Sequence, residues 1–245
     1  MRTWKGLITG VAIASMALLS YPGVSFGQDC SYGGVFSPPL PSQSGFCVGS
    51  GSPKTLGSVI VTASNWLFIT QGFKLNINEE PLQGFPFAVI PGSLAIQPGG
   101  TIGTIFPVLN PIQINAAGAI INFQGALNLW APTDPIVLKA GKGISLQGDP
   151  AIFDPSSLFI GDTIKLETTK GDITTDNNTV LLSMGDQANV RLIAPRGRIT
   201  LENTTIFVLK GGGSELGICN FQAKTPADVI FGPGTALGCI PKIKD

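Results

Sequence analysis

The sequence predicts an all-β fold, a right-handed parallel β-helix (β-solenoid) with about 26 residues per three-strand coil and disulfide-stapled ends. First, IKLETTKGDITTDNNTVLL at 164–182 matches VRLIAPRGRITLENTTIFV at 190–208 in one register, at an offset of 26 residues. Second, apolar and polar residues alternate within both copies in short runs that turn residues interrupt, which is typical of strands. Third, four cysteines lie in two groups near the two ends. A β-sandwich with chance repetition is the alternative, but chance would not hold one register for so long.

The first 27 residues have the features of a secretory signal peptide. A basic tip at Arg2 and Lys5 precedes an apolar run, and small residues lead up to Gly27, after which cleavage is expected. The apolar run is shorter than a membrane span, so we expect no span after signal removal. The expected location is therefore extracellular or on the cell surface, with the periplasm as the alternative.

Composition limits the chemistry that the chain can perform. Without the signal peptide, the chain has 13 Lys+Arg against 15 Asp+Glu, a net charge of −2, and the whole sequence has no histidine. A basic face for nucleic acid is therefore not indicated. Catalytic triads that use histidine and histidine metal sites are excluded. We expect no cofactor, no metal and no catalysis.

The cysteine positions predict two disulfides in an exported protein. Cys30 and Cys47 bracket one Gly/Pro/Ser-rich end, and Cys219 and Cys239 bracket the other. The predicted pairs are Cys30 with Cys47 and Cys219 with Cys239, each stabilising the fold by about 3 kcal/mol through its closed loop.

The repeat and the cysteines together predict four segments. These are a signal peptide at 1–27, a Cys/Pro/Gly-rich N-terminal cap at 28–56, the solenoid at 57–217 and a disulfide-closed C-terminal cap at 218–245. Caps are expected because the open ends of a solenoid expose unpaired strand edges.

The alternation predicts which side chains face the core of the repeat. The predicted inward residues of the first copy are Ile164, Leu166, Ile173, Thr175, Val180 and Leu182. The opening triplet of the repeat recurs upstream, and Leu94, Ile112 and Ile136 are predicted to occupy the same place in earlier coils as Ile164. Asn177 is expected to stack on Asn203, with amide bonds between coils.

The segment from Phe85 to Trp130 is apolar on both expected faces of its strands. It is interpreted either as a cap or helix packed over one side of the solenoid, or as an interface with a partner.

A short stretch resembles a known family. ANVRLIAPRGRITL at 188–201 is similar to the N-V-x-L-I-N-P-x-G-I motif of the filamentous haemagglutinin family of exported β-helical adhesins. The matching residues are Asn189, Val190, Leu192, Ile193, Pro195, Gly197 and, one place late, Ile199, with Ala194 in place of the family's second Asn. The resemblance implies a β-helix and a surface role.

Two sets of outward residues are candidates for a site. The candidate binding face consists of Lys165, Asp172, Thr174, Arg191, Arg198 and Thr200. This face would suit an anionic glycan or a surface protein, with Asp172 and Arg198 offsetting each other across coils and Lys165 stacked on Arg191. Self-association is a further expected interaction. The alternative is a secreted polysaccharide-cleaving enzyme, with Asp176 and Glu202 stacked near the spacing of a retaining glycosidase pair.

Overall fold

The computed structural model describes residues 35–36, 46–49, 54–56, 59–61, 66–78, 92–104, 106–148, 157–213 and 215–244. It confirms an all-β parallel solenoid with about 26 residues per coil. Three short strands form each coil, and every strand pairs in parallel with the equivalent strand of the next coil, except that β21 runs antiparallel to β20. The right-handed sense of the coil stays a prediction.

The strands form three sheets, which run the length of the solenoid. Sheet I contains β1 (Val35–Phe36), β4 (Val59–Val61), β7 (Leu94–Ile96), β10 (Ala119–Phe123), β13 (Gly143–Gln147), β16 (Ile173–Asp176), β19 (Ile199–Leu201) and β23 (Val229–Phe231). Sheet II contains β2 (Phe46–Gly49), β5 (Trp66–Ile69), β8 (Thr101–Gly103), β11 (Ala126–Ala131), β14 (Ser157–Gly161), β17 (Thr179–Met184), β20 (Thr204–Lys210), β21 (Glu215–Leu216) and β24 (Ala236–Gly238). Sheet III contains β3 (Lys54–Leu56), β6 (Phe73–Ile77), β9 (Ile112–Ala116), β12 (Ile136–Ala140), β15 (Thr163–Thr168), β18 (Asn189–Ile193), β22 (Ile218–Gln222) and β25 (Ile240–Lys244).

Among the described ranges, two single-turn 3-10 helices interrupt the strands, at Gly211–Gly213 and Pro226–Asp228. Within the part of the chain that the structure describes, no helix is both long and apolar enough to cross a membrane.

The predicted stacking of the repeat is confirmed in sheet III. Ile112 pairs with Ile136, Ile136 with Ile164, and Ile164 with Val190, so the four aliphatic residues form one buried row. The prediction for Leu94 was wrong, because Leu94 lies in sheet I and pairs with Ile120. Leu94 precedes a Gly-rich turn as the other triplets do, so the local pattern did not distinguish the two sheets.

The core is the interior that the three sheets enclose. Inward rows of Ile, Leu and Val are fully buried, and Phe159 and Phe221 are among the largest side chains within it. Full burial of such a side chain stabilises the fold by about 1.5–3 kcal/mol, so the stacked rows are the main stabilising element.

The prediction that Val180 and Leu182 face inward was wrong. Sheets I and III keep the offset of 26, but in sheet II Val180 pairs with Thr205 and Leu181 with Ile206, an offset of 25. Leu181 is fully buried and its two neighbours point outward. A shift of one residue moves every side chain of a strand to the opposite face.

The cause of the shift is the turn between sheets I and II. In one coil this turn contains Asn177 and Asn178, with φ of 47° and 61°, whereas the next coil has Asn203 alone, with φ of 43°. Asparagine tolerates this left-handed conformation better than most residues, so either turn is accessible. One turn residue fewer shifts the following strand by one place.

Hydroxyl side chains occupy inward positions of sheet II that aliphatic residues were expected to fill. Thr179, Ser183 and Thr204 are buried, and each is hydrogen-bonded. The Thr179 hydroxyl donates to the backbone carbonyl of Asp176 at 3.1 Å, and Ser183 Oγ accepts a hydrogen bond from the backbone N–H of Asn189 at 2.7 Å. These bonds offset the cost of burying polar groups at the edges of the core.

The segment that begins at Phe85 does not form a separate cap over the solenoid in its described part. Residues 92–104 and 106–130 contribute β7 to β11 to the three sheets, and they contain no helix. Residues 85–91 lie outside the described residues. The apolar character of the strands reflects their place inside the solenoid, with Leu127 and Leu129 fully buried.

The predicted disulfide between Cys219 and Cys239 is confirmed, with a Cα–Cα distance of 5.8 Å. Cys30 lies outside the described residues, and so does the side chain of Cys47, so their pairing stays a prediction. The predicted segment boundaries at residues 57 and 217 do not coincide with a change of fold in the described ranges. The strand β3 lies before the first boundary and β22 after the second, and both belong to sheet III with the strands between them. The disulfide-closed segment is part of the solenoid, because it runs from β22 through β23 and β24 of the last described coil.

Candidate binding face

The outer face of sheet III has the highest density of basic side chains among the described surfaces of the three sheets. Its outward residues form two rows that run along the solenoid, with one residue per coil. The first row contains Lys74, Gln113, Val137, Lys165, Arg191, Asn220 and Lys242. The second row contains Asn76, Asn115, Lys139, Glu167, Ile193, Gln222 and Lys244. Six basic residues and one acid therefore lie on this face, at intervals set by the spacing of about 4.8 Å between coils.

Glu167 is the acid of this face, and it pairs with two of the lysines. Its carboxylate lies 2.5 Å from Lys165 Nζ and 3.4 Å from Lys139 Nζ. The hydrogen bond from Lys165, together with the positive charges of both lysines, lowers the pKa of the Glu167 carboxyl against a smaller opposing effect of burial. Glu167 therefore offsets part of the positive charge of Lys139 and Lys165.

Arg191 differs from the two lysines because no ion pair holds it among the described residues. Its side chain is exposed, and it follows Lys165 in the outer row. A guanidinium in this setting can bind a carboxylate or sulfate with two parallel hydrogen bonds.

Amide side chains form ladders on the same face. Asn115 donates through Nδ2 to Asn76 Oδ1 at 2.8 Å, and Gln113 donates through Nε2 to Asn115 Oδ1 at 3.2 Å. Further along, Asn220 donates to Asn189 Oδ1 at 3.0 Å. These bonds fix the orientation of the amides, which leaves their remaining donors and acceptors at defined positions on the surface.

Two shallow grooves border this part of the face. One has a volume of about 480 Å³ and is lined by Asn76, Asn115, Lys139 and Thr169 together with the small residues of the adjoining turn. The other, of about 410 Å³, is lined by Lys74, Gln113 and the turn that precedes their strands. Each groove thus combines amides with one ammonium group, a combination suited to hydroxyl-rich or anionic ligands.

The structure divides the predicted binding face between two sheets. Lys165 and Arg191 lie on sheet III, whereas Thr174 and Thr200 pair with each other on the outside of sheet I. These pairs do not share one sheet surface. Lys139 and the amides were missed, although Lys139 stands three residues after Ile136 as Glu167 stands three after Ile164, a correspondence visible in the sequence.

Asp172 and Arg198 do not form the side-chain pair that was predicted. The Asp172 carboxylate accepts the backbone N–H of Arg198 at 2.7 Å. The Arg198 guanidinium instead lies 3.3 Å from Asp228 in the following coil. The hydroxyl of Thr225 donates to Asp228 at 2.7 Å, and this bond is the main reason why the pKa of Asp228 is lowered, with Arg198 contributing further.

The alternative carboxylate pair lies at the turn between sheets I and II. Asp176 Oδ1 accepts the backbone N–H of Asn177 at 2.6 Å and the side-chain amide of Asn203 at 3.1 Å. The side chain of Glu202 runs beside Gly232. The bond between coils thus joins Asn203 to Asp176, and it does not join the two asparagines as predicted. Asp176 serves the turn, and neither groove described above includes it or Glu202.

Replacing Glu167 with glutamine should lower the free energy of unfolding by about 0.5–1 kcal/mol at pH 7, because two partly exposed ion pairs are lost. Because the pKa of Glu167 is lower in the folded protein, its ionised carboxylate stabilises the fold at any pH above the ordinary glutamate pKa of about 4.3. This stabilisation is lost as the pH falls through the lowered pKa. Urea unfolding of both proteins at several pH values should therefore show a difference that vanishes in acid. Glu215→Gln, at an exposed residue of β21, is the matched control, and an equal loss there would contradict the assignment.

Comparison of the chain with protein-family models, with curated proteins and with solved structures finds no match. The resemblance to filamentous haemagglutinin proteins therefore stays a prediction.

Proposed function

We propose that this protein is an exported, adhesin-like β-solenoid that binds an anionic surface glycan along the outer face of sheet III, without catalysis. The observation that carries the proposal is the pair of outward rows in which six cations and ordered amides recur along consecutive coils. A polymer with repeated carboxylate or sulfate groups can bind several such positions at once, so weak single contacts add up to useful affinity.

Charge on this face is distributed unevenly, and this favours an acidic ligand over a neutral one. Glu167 balances part of the charge of Lys139 and Lys165, while Arg191 has no acidic partner among the described residues. The central part of the face therefore keeps a net positive charge, even though the chain after signal removal is slightly acidic. Exposed cations of this kind act mainly through electrostatic attraction, which salt weakens.

Export is supported by two observations. The signal-like first 27 residues direct the chain out of the cytoplasm in this proposal, and the disulfide between Cys219 and Cys239 is consistent with an oxidising, extracellular environment. A solenoid also suits a surface role, because it presents a long and nearly flat array of side chains from a short sequence.

The binding test compares acidic polysaccharides, such as polygalacturonate and heparin, with neutral dextran. Lys139→Gln and Arg191→Gln should each weaken binding of the acidic polymers by about three- to tenfold, equivalent to roughly 0.7–1.4 kcal/mol. Glu167→Gln should strengthen binding of the acidic polymers, because Lys139 and Lys165 then have no carboxylate of the protein to pair with. Lys210→Gln removes the same charge from sheet II and should have no effect. Equal affinity for dextran, or an equal loss in Lys210→Gln, would contradict a glycan site on sheet III.

The same polymers also test the absence of catalysis. The release of new reducing ends by the wild-type protein would show an enzyme, and the double variant Asp176→Asn with Glu202→Gln would then tell whether the carboxylate pair is responsible. Binding without release of reducing ends supports the proposal.

A further inference from the structure

The outer face of sheet II is apolar, in contrast to sheet III. Its central row contains Trp130, Ile160, Leu182 and Phe207, which pair in that order across four consecutive strands. The neighbouring outward positions are Asn128, Leu158, Val180 and Thr205 on one side, and Met184 and Leu209 on the other. None of these residues is charged. Trp130 and Phe207 are 36% and 41% exposed, so both ends of the central row are open to solvent.

The part of this face that belongs to β17 results from the one-residue shift at the asparagine turns. Because Leu181 and Ile206 fill the core, Val180 and Leu182 are forced to the outside. The face extends over the next coil, where Gly238 pairs with Phe207 and a Cβ in place of the glycine hydrogen would collide with the phenylalanine ring. The Phe207 ring thus lies over Gly238, and the paired residues from Trp130 to Phe207 form one continuous apolar stripe.

Polar turns border the stripe on both sides. Asp134, Asp162 and Asp186 lie in successive turns between sheets II and III, and their grouping is not one that could hold a metal ion. Burial, together with the negative charges of Asp186 and Asp134, raises the pKa of Asp162. On the opposite side, Asp176 is the last residue of β16, and Glu202 directly follows β19. An apolar centre with a polar rim is the usual arrangement of a protein interface.

We infer that two copies of this protein associate by packing these faces of sheet II against each other. The face covers about five rungs at about 4.8 Å by about 20 Å along the strands, or about 500 Å² per copy and about 1,000 Å² in total, the lower bound for a specific interface. The occupant of such a face must itself be flat, apolar and of similar size. A second copy meets all three requirements, and its ridges of side chains have the same spacing, so the two sheets can pack about 10 Å apart.

The acidic rims determine how this association responds to solution conditions. Each edge of the stripe carries aspartates or glutamate, so the rims of two copies repel each other at low ionic strength. Salt screens this repulsion without weakening the apolar contact. Self-association should therefore strengthen as salt is raised, opposite to the response expected for glycan binding on sheet III, and the two surfaces can be tested separately.

The test is sedimentation equilibrium of the purified, oxidised protein over a wide concentration range, at low and high salt. A monomer–dimer equilibrium is expected, tighter at high salt. Leu182→Arg places a charge at the centre of the stripe and should weaken dimerisation at least tenfold. Thr174→Arg, outward on sheet I in the same coil, is the matched control and should leave dimerisation unchanged.

Three results would overturn the inference: a monomer at every concentration, a dimer that Leu182→Arg does not weaken, or a dimer that Thr174→Arg weakens equally. If Leu182→Arg fails to fold, as judged by its circular dichroism and its unfolding temperature, Phe207→Thr provides the second variant. Phe207 is 41% exposed and points away from the core, so the substitution removes contact area of the stripe without opening a cavity among the buried side chains.

Discussion

Replacement of Gly171 with alanine should destabilise the solenoid by about 3 kcal/mol, more than any other single methyl group added in this region. Gly171 lies at the turn between sheets III and I, where a Cβ would fall on the carbonyl oxygen of Lys142 in the preceding coil. The obstacle is backbone, which cannot move without breaking the pairing of neighbouring strands. Gly141 and Gly197 face backbone carbonyls in the same way, so the coils approach closely along this whole edge.

Gly143→Ala is the matched control for this prediction. It lies on the adjacent strand of sheet I, and a Cβ there would lie 3.3 Å from the Asp172 carbonyl oxygen, which requires only a small adjustment. Equilibrium unfolding in urea should therefore separate the two variants by at least about 2 kcal/mol. If Gly171→Ala were as stable as Gly143→Ala, the close approach of the coils at this edge would be contradicted.

The glycines at this edge of the solenoid also show how much of the fold the sequence could predict. Gly171 and Gly197 stand at the same place in the two copies of the repeat, and the structure brings them to successive coils as that alignment implies. Sheets III and I follow the repeat directly, because the segment from the first to the second has a constant length there. The period and the aliphatic rows were therefore readable from spacing alone.

Sheet II could not be predicted in the same way. Its register depends on whether the preceding turn contains two asparagines in the left-handed conformation or one, and the sequences DNNT and ENTT show no obvious difference in turn length when they are aligned residue by residue. Val180 and Leu182 are as hydrophobic as true core residues, so composition did not reveal that they point outward. Only the buried Leu181 and the hydrogen-bonded hydroxyl of Thr179 identify the correct face.

The candidate site was predicted in part for a related reason. Lys165 over Arg191 follows from the repeat, but Thr174 and Thr200 were added to the same face because outward residues of one coil were treated as one surface. In a solenoid, outward residues of one coil point in different directions. Neighbours on a surface come instead from the same strand or from equivalent positions in successive coils. Glu167 stands on the same strand as Lys165, and Lys139 pairs with Glu167 from the preceding coil.

The disulfide should have the second large effect, and its place in the fold determines where that effect is felt. Cys219 lies in β22, and Cys239 stands between β24 and β25 in the following coil, so the bond ties the last described coil to the one before it. The strand β25 is exposed along its length, and its pairing partner β22 supplies its only strand neighbour among the described residues. No coil follows β25 among the described residues, so this coil is held from one side only, by the pairing of β23, β24 and β25 with the preceding coil and by the disulfide. The covalent link should therefore matter most here.

Removing the link in the double variant Cys219→Ala and Cys239→Ala should lower the free energy of opening of the last coil by about 3 kcal/mol, as expected for a closed loop of this size. Because each coil contacts only its neighbours, the loss should remain local. Hydrogen exchange should therefore accelerate in β23, β24 and β25, while β12 and β15 keep their protection. Uniform acceleration throughout the chain would show instead that the solenoid unfolds as one cooperative unit. Unchanged exchange in β25 would show that strand pairing alone holds the last coil.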